Sequence, residues 1–339
     1  SRRGNRRLDS MVADVLRALP GFLALCVGAI LAHGLSLVVG SNELLLAIGL
    51  GALVTNAVGV PQRLEPGVAT HSLWLAAGIV LLGASLTIES VLETGSTVLV
   101  LMLGTVFVSL LTVEAIARNV AGLTGKFSSL LAAGAGICGV SAVVAVGGAV
   151  RARETQIAYA AGVVLLVDAI TIVVYPTVGS LLELPANVFG VWAGVSMLST
   201  GPVVAVGFAH SEVAGQWATM TKLARNALIG IVALGYAGYY TRQDSDASVS
   251  LRLLWANFPK FVLGFLAFAV IASAGVFSPT QQVSLENAVD WLFLLAFVGL
   301  GTEIRLDELR RTGITPALVV IGTVSIVSVL SLAVALAVL

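Results

Sequence analysis

Hydrophobic residues run through this chain in long blocks, and polar residues mark the gaps between them. Apolar stretches occupy about 20–40, 43–60, 70–88, 96–116, 128–150, 156–182, 187–210, 217–240, 258–277, 286–304 and 315–339. Each approaches the roughly 20 residues that carry an α-helix across a bilayer. Helical periodicity adds nothing here, because lipid accepts a helix that is apolar on every side. Connections are short, and the longest polar one, "TRQDSDASVSLR" (241–252), is expected to be an exposed loop. The pattern predicts an all-α polytopic membrane protein: a basic N-terminus over 1–19, then a single transmembrane domain over 20–339.

Two of the blocks do not read as ordinary spanning helices. "GAGICGVSAVVAVG" (Gly134 to Gly147) opens on glycines, a cysteine and a serine. "SMLSTGP" (Ser196 to Pro202) interrupts the block at 187–210 with hydroxyls and a proline. Irregular backbone inside a membrane is tolerated only where protein or a water-filled cavity surrounds it. A helix that stops and restarts there exposes N–H groups with partial positive charge, which bind an anion without a cationic side chain. Ser199 or Thr200 can cap the restart, and Pro202 suits a first helical turn. The competing reading is close helix packing, for which membrane proteins also use small residues.

Charge placement tests the topology. With the N-terminus cytoplasmic, Arg63, Arg118 and Lys126 fall inside, and the loop at 89–95, which has no Lys or Arg, falls outside. If the block at 128–150 crosses fully, Arg151 and Arg153 land outside and the bare loop "ELPAN" (183–187) lands inside, both against the rule. If it enters and returns, both signs are restored. A matching return at 187–210 leaves Arg242, Arg252, Lys260, Arg305, Arg310 and Arg311 inside. The sequence thus allows either 11 transmembrane helices, or 9 plus two re-entrant or broken segments. "VVAVG" occurs at 143–147 and again at 203–207, as expected of an inverted repeat. Such repeats put the substrate site near the midplane.

Composition agrees with the pattern. The 339 residues are 58% hydrophobic and 11% charged, and formal net charge is zero; mean hydropathy is +1.02. A soluble domain carries roughly 25% charged residues. Zero net charge offers nothing to nucleic acid. Cys26 and Cys138 provide neither a disulfide framework nor metal-ligand spacing. There is no His-Glu zinc helix, phosphate-binding loop or nucleophile elbow, so no enzyme is expected. "GAGICG" follows no predicted strand and lacks the acidic partner of a dinucleotide fingerprint.

"GAGICGVSAV", then "RARETQIAYA", "YP", "FGVWAGVS" and "KLARN", resembles the sulfate exporter (YeiH-like) family of prokaryotic membrane proteins. The resemblance runs from the second block to the end. It implies secondary transport of sulfate or related anions in a prokaryotic plasma membrane. It also implies kinship with the cation–proton antiporter and bile-acid symporter superfamily, and hence crossed broken helices rather than hairpins. In the family pattern an Asn follows "ICG", where this chain has Val140. A His-Asp pair falls at Leu198 and Ser199, and a Gln at Pro202, so of that stretch only Thr200 is kept. The family has a small residue where this chain has Asp168.

The candidate substrate site is Gly136, Cys138, Gly139 and Ser141 on one broken segment, with Ser196, Ser199 and Thr200 on the other. Lys222, Arg225 and Asn226 share a helix face at i, i+3 and i+4 and would add positive charge or pair with Asp168. Asp168 sits centrally in its block, where a carboxylate costs about 2.5–3.5 kcal/mol on insertion scales. It would couple the cycle to H⁺ or Na⁺. No cofactor or metal is expected beyond that ion. His33 reads as an interior hydrogen-bonding group, Glu114 and Arg118 as an ion pair, Trp192 as packing. Glu43, His210, Asp290, Glu303 and Arg305 read as residues of segment ends. The expected function is secondary active transport of a small anion by alternating access, in the lipid bilayer, with a homodimer as one allowed assembly. A second reading is a cation–proton antiporter with Asp168 as exchange site and Lys222 or Arg225 balancing the helix dipoles. A third is a channel, or a membrane protein that transports nothing.

Overall fold

The computed structural model describes residues 2–85, 88–241, 260–307 and 313–339. Its described residues are helical with no strand, and six helices are long and apolar enough to cross a membrane: 14–39, 65–82, 95–120, 154–181, 280–302 and 314–338. The protein is therefore a polytopic helical membrane protein. Two compact units divide the chain, residues 1–85 with 264–305, and 86–263 with 306–339.

The first unit contains α1 (Arg2–Val39), α2 (Glu43–Ala57), α3 (Glu65–Val68), α4 (His71–Leu82), most of α13 (Phe261–Ser273), and α14 (Pro279–Thr302). The first helix runs back through the basic N-terminus, where Arg, Leu and Ala are good helix formers. α14 packs on α2 and α4. It meets α2 backbone to backbone, since a Cβ on Gly51 or Gly301 would collide with the facing carbonyl. His33 bonds Glu43 at 2.6 Å and His71 bonds Glu303 at 3.1 Å. Asp290 corrects an expectation: it lies mid-helix, not at a segment end. Ser278 caps α14 with Gln281 at its third position and Pro279 at its first, and starts the helix well before the apolar run.

The second unit contains α5 (Ile88–Ala115), α6 (Gly125–Ala133), α7 (Val140–Ala149), α8 (Glu154–Leu181), α9 (Ala186–Ser196), α10 (Thr200–His210), α11 (Glu212–Asn226), α12 (Ile229–Thr241) and α15 (Ile314–Val338). A π-helical turn, Gly134–Cys138, prolongs α6. Glu114 pairs with Arg118 at the end of α5. The loop expected over 241–252 falls, beyond Thr241, outside the described residues, as do Arg310 and Arg311.

The blocks at 128–150 and 187–210 are re-entrant hairpins. In the first, α6 and α7 fold back on each other. A Cβ on Gly147 would lie 3.5 Å from Leu130 Cδ2, and Lys126 Nζ reaches Arg151 O at 3.5 Å. In the second, the His210 ring stacks on Phe189 with centroids 4.0 Å apart, and its Nε2 lies 3.1 Å from Leu184 O. α7 has 10 residues and α9 and α10 have 11 each. At 1.5 Å per residue each arm is about 15 Å long, half of the roughly 30 Å hydrocarbon core. The 28-residue α8 joins the base of one hairpin to the base of the other. The hairpins therefore enter from opposite ends of α8 and meet at their tips. The crossed broken helices implied by the family resemblance are not formed, because each chain break reverses direction instead of continuing it.

Candidate functional site

The two tips touch. Gly139 has φ +64° and ψ −134°, a backbone region open to glycine alone, and turns the chain from the π-turn into α7. A Cβ there would overlap Ser199 Oγ at the tip of the second hairpin. In that tip Met197 and Ser199 are extended, and α10 restarts at Thr200.

Four helix termini thus converge, two carbonyl ends and two N–H ends, and the chain treats the two kinds differently. The carbonyl ends are closed by α11. Lys222 Nζ donates to Ile137 O at 2.9 Å, to Met197 O at 3.1 Å and to Leu198 O. Three acceptors match the three N–H bonds of an ammonium group. Arg225 donates from Nε to Gly136 O at 2.8 Å, from Nη2 to Ala135 O at 2.5 Å, and from Nη1 to Val195 O and Met197 O at 2.9 and 2.7 Å. Both side chains are completely buried. Each links the first hairpin to the second and satisfies terminal carbonyls that a helix end leaves open. Positive charge at a helix C-terminus is also favoured by the dipole. The π-turn assists by closing its bond five residues apart, Gly139 N to Gly134 O at 2.9 Å, which turns the carbonyls of 135–137 towards α11.

α11 comes near enough because α9 is small where they cross. A Cβ on Gly190 would strike Ala214 O, and one on Gly194 would lie 2.7 Å from Thr221 Cβ. Close packing of small residues on α9 is thus what brings α11 to the tips. α11 ends at Asn226, and the chain breaks over Ala227 and Leu228 before α12.

The N–H ends are less completely closed. Ser199 does not cap α10 with its own side chain. Asp168, near the middle of α8 and 4% exposed, instead accepts from Ser199 N at Oδ1 over 3.1 Å. Asn226 Nδ2 donates to Thr200 Oγ1 at 2.9 Å, while Asn226 Oδ1 and Ser199 Oγ are buried without a hydrogen-bond partner. The residue before α7 is Gly139, which has no side chain to cap the helix, but the Cys138 sulfur accepts from Ala142 N in the first turn and bonds the Ser141 hydroxyl, and Ser141 is exposed.

The structure therefore brings Gly136, Gly139, Ser199, Thr200, Lys222, Arg225, Asn226 and Asp168 to one place, with Cys138 buried beside the turn at 5% exposure. Lys222 and Arg225 face peptide carbonyls rather than open space. Ser196 is turned away: it donates to Trp192 O and accepts from Tyr175 OH at 2.8 Å. Tyr175 stacks on Trp192 at 4.2 Å, and the indole N–H donates to Ser328 O at 2.9 Å, so this group is packing. The break after Asn226 was not visible in the sequence, since Ala and Leu are good helix formers and no glycine or proline marks it.

Asp168, Lys222 and Arg225 are the charged side chains buried among the described residues. With both bases protonated and Asp168 ionised, the formal charges of the three would sum to +1. An unbalanced ion in the interior costs several kcal/mol even after relaxation.

Residues 20–320 match the family model described as "Conserved hypothetical protein 698", and the chain belongs to that family. It is 29% identical to a "UPF0324 membrane protein" of Nitratidesulfovibrio vulgaris over 96% of this chain and 94% of that one. It is 30% identical to a UPF0324 membrane protein of Rhodopirellula baltica over 90% of this chain and 59% of that one. A relative in Listeria monocytogenes is 29% identical over 84% of each chain. The chain spans only 55% and 59% of two further relatives from N. vulgaris. No solved structure matches.

Proposed function

We propose that this protein is a secondary active transporter of a small anion, sulfate-like or sulfonate-like, which binds at the meeting point of the two hairpin tips. The observation that carries this reading is the asymmetry of the termini. Both carbonyl ends are closed by Lys222 and Arg225, while at the N–H ends Ser199 Oγ and Asn226 Oδ1 are buried without a partner and Ser141 is exposed. Peptide N–H groups there, with the Ser141 and Ser199 hydroxyls, would hold the anion. Lys222 and Arg225 would act on it at a distance, through the charge they leave in excess. Asp168 would take up H⁺ or face Na⁺ during the cycle, and the N-terminus of the chain would be cytoplasmic in a plasma membrane.

A second reading rests on Asp168 itself, a carboxylate buried at the centre of a spanning helix and in contact with the tips. It makes the protein a cation–proton antiporter, with the anion absent. Flux in proteoliposomes separates the two. The anion reading predicts saturable uptake of radiolabelled sulfate or a small sulfonate, altered by an imposed H⁺ or Na⁺ gradient. Sodium-dependent proton movement with no anion uptake overturns it in favour of the second reading. Unsaturable current would indicate a channel and overturn both.

A further inference from the structure

Far from the tips, the open base of the first hairpin holds a cavity of about 640 Å³ lined by Arg118, Lys126, Arg151, Arg153, Tyr239 and Tyr240 among others, with no carboxylate in its wall. The Arg118 charge is already met by Glu114, and its guanidinium is held by Ser129 Oγ and Tyr240 OH at 3.1 and 2.9 Å. Lys126, Arg151 and Arg153 form no ion pair among the described residues. Glu154 follows Arg153 in the first turn of α8 but does not line the cavity.

Two features set this apart from a solvated basic surface. Arg151 has φ +50°, a left-handed conformation that suits glycine and strains an L side chain. It is the left-handed stop that ends α7, with Ala152 N donating to Gly147 O at 2.9 Å, and from it the arginine lines the cavity. The walls are also fixed: Gln156 Oε1 accepts from Arg153 N at 3.2 Å and its Nε2 donates to Thr124 Oγ1 at 3.2 Å, tying α8 to the start of α6.

We propose that this cavity is a second anion site, distinct from the transport site, and that it binds a phosphate group. Guanidinium forks pair two N–H bonds with two phosphate oxygens, and a lysine adds a point charge. Tyr239 and Tyr240 offer hydroxyls and rings of the kind found at membrane–water interfaces. The phosphate comes either from a lipid headgroup or from a soluble phosphate compound; the chemistry is shared. Because Lys126 and Arg151 stand on opposite arms of the hairpin, the ligand clamps its mouth and fixes its base against α5 and α12.

The test uses the full chain purified in neutral detergent. Inorganic phosphate is titrated against chloride at matched ionic strength, reading the thermal unfolding midpoint. Retention of phosphatidylglycerol against diacylglycerol, which lacks the phosphate, is read by native mass spectrometry. The variant is Lys126→Ala/Arg151→Gly, in which glycine relaxes the φ of 151, so the fold is not put at risk by backbone strain. A phosphate-specific rise, or selective retention of phosphatidylglycerol, that weakens by about tenfold or more in the variant supports the site, and whichever ligand responds identifies the source. Equal effects of phosphate and chloride with no lipid selectivity overturn the proposal. So does a response undiminished in the variant, which would place binding at the tips or elsewhere.

Discussion

Gly139→Ala tests whether the tips are in contact. Two costs add. The backbone at φ +64° and ψ −134° belongs to a region occupied almost solely by glycine, and forcing an L residue into it costs about 1–3 kcal/mol. The new methyl would also overlap Ser199 Oγ and lie 3.1 Å from Ser199 Cβ and 3.2 Å from Val164 Cγ1. Overpacking of this kind costs about 1–3 kcal/mol more. The expected loss is therefore about 2–6 kcal/mol, and the two parts can be separated. Ser199→Gly alone loses no cap, because the Ser199 hydroxyl makes no hydrogen bond, and it removes the obstructing atoms. In Gly139→Ala/Ser199→Gly the steric part due to Ser199 is recovered, while the Val164 contact and the dihedral part remain, a coupling of about 1–3 kcal/mol in a double-mutant cycle. Equilibrium unfolding of the detergent-solubilised protein, followed by tryptophan fluorescence, measures all four states. A cycle that closes with no coupling would refute the contact and with it the shared site; a Gly139→Ala protein as stable as wild type would refute the dihedral argument as well.

Other substitutions separate the roles at the tips. Lys222→Met leaves Ile137 O and Leu198 O without their donor, whereas Met197 O keeps Arg225. It should lower stability by about 2 kcal/mol or more with no anion present, and unchanged unfolding would show that the lysine is no cap. Asp168→Asn keeps an oxygen to accept from Ser199 N, so the fold should survive, while the pH or Na⁺ dependence of flux should vanish; an unaltered dependence removes Asp168 from coupling. Ser141→Ala should weaken anion binding in flux assays without changing stability. Ser196→Ala should do the reverse, losing about 1 kcal/mol through the Tyr175 hydroxyl with an unaltered KM; effects in the opposite order would exchange their assignments.

Much of the architecture could be read from the chain because lipid imposes its own pattern. All eleven apolar blocks correspond to helices, since a bilayer leaves a buried backbone few alternatives. The first hairpin was legible in Arg151, Arg153 and the bare loop at 183–187, which a full crossing would put on the wrong sides. What escaped reading has one physical origin: the partners are main chain. Lys222 and Arg225 look like residues that hold a ligand or pair with Asp168, and their spacing is the same in either case. Their acceptors are seven carbonyl contacts on two distant segments, and a carbonyl carries no mark in a sequence. The same holds for Asp168, which caps α10 from another helix while Ser199, next to the helix start, leaves its own hydroxyl unused. Where backbone ends meet inside a membrane, side chains from other helices must close them. A charged residue deep in an apolar block should therefore first be tested as the cap of someone else's helix.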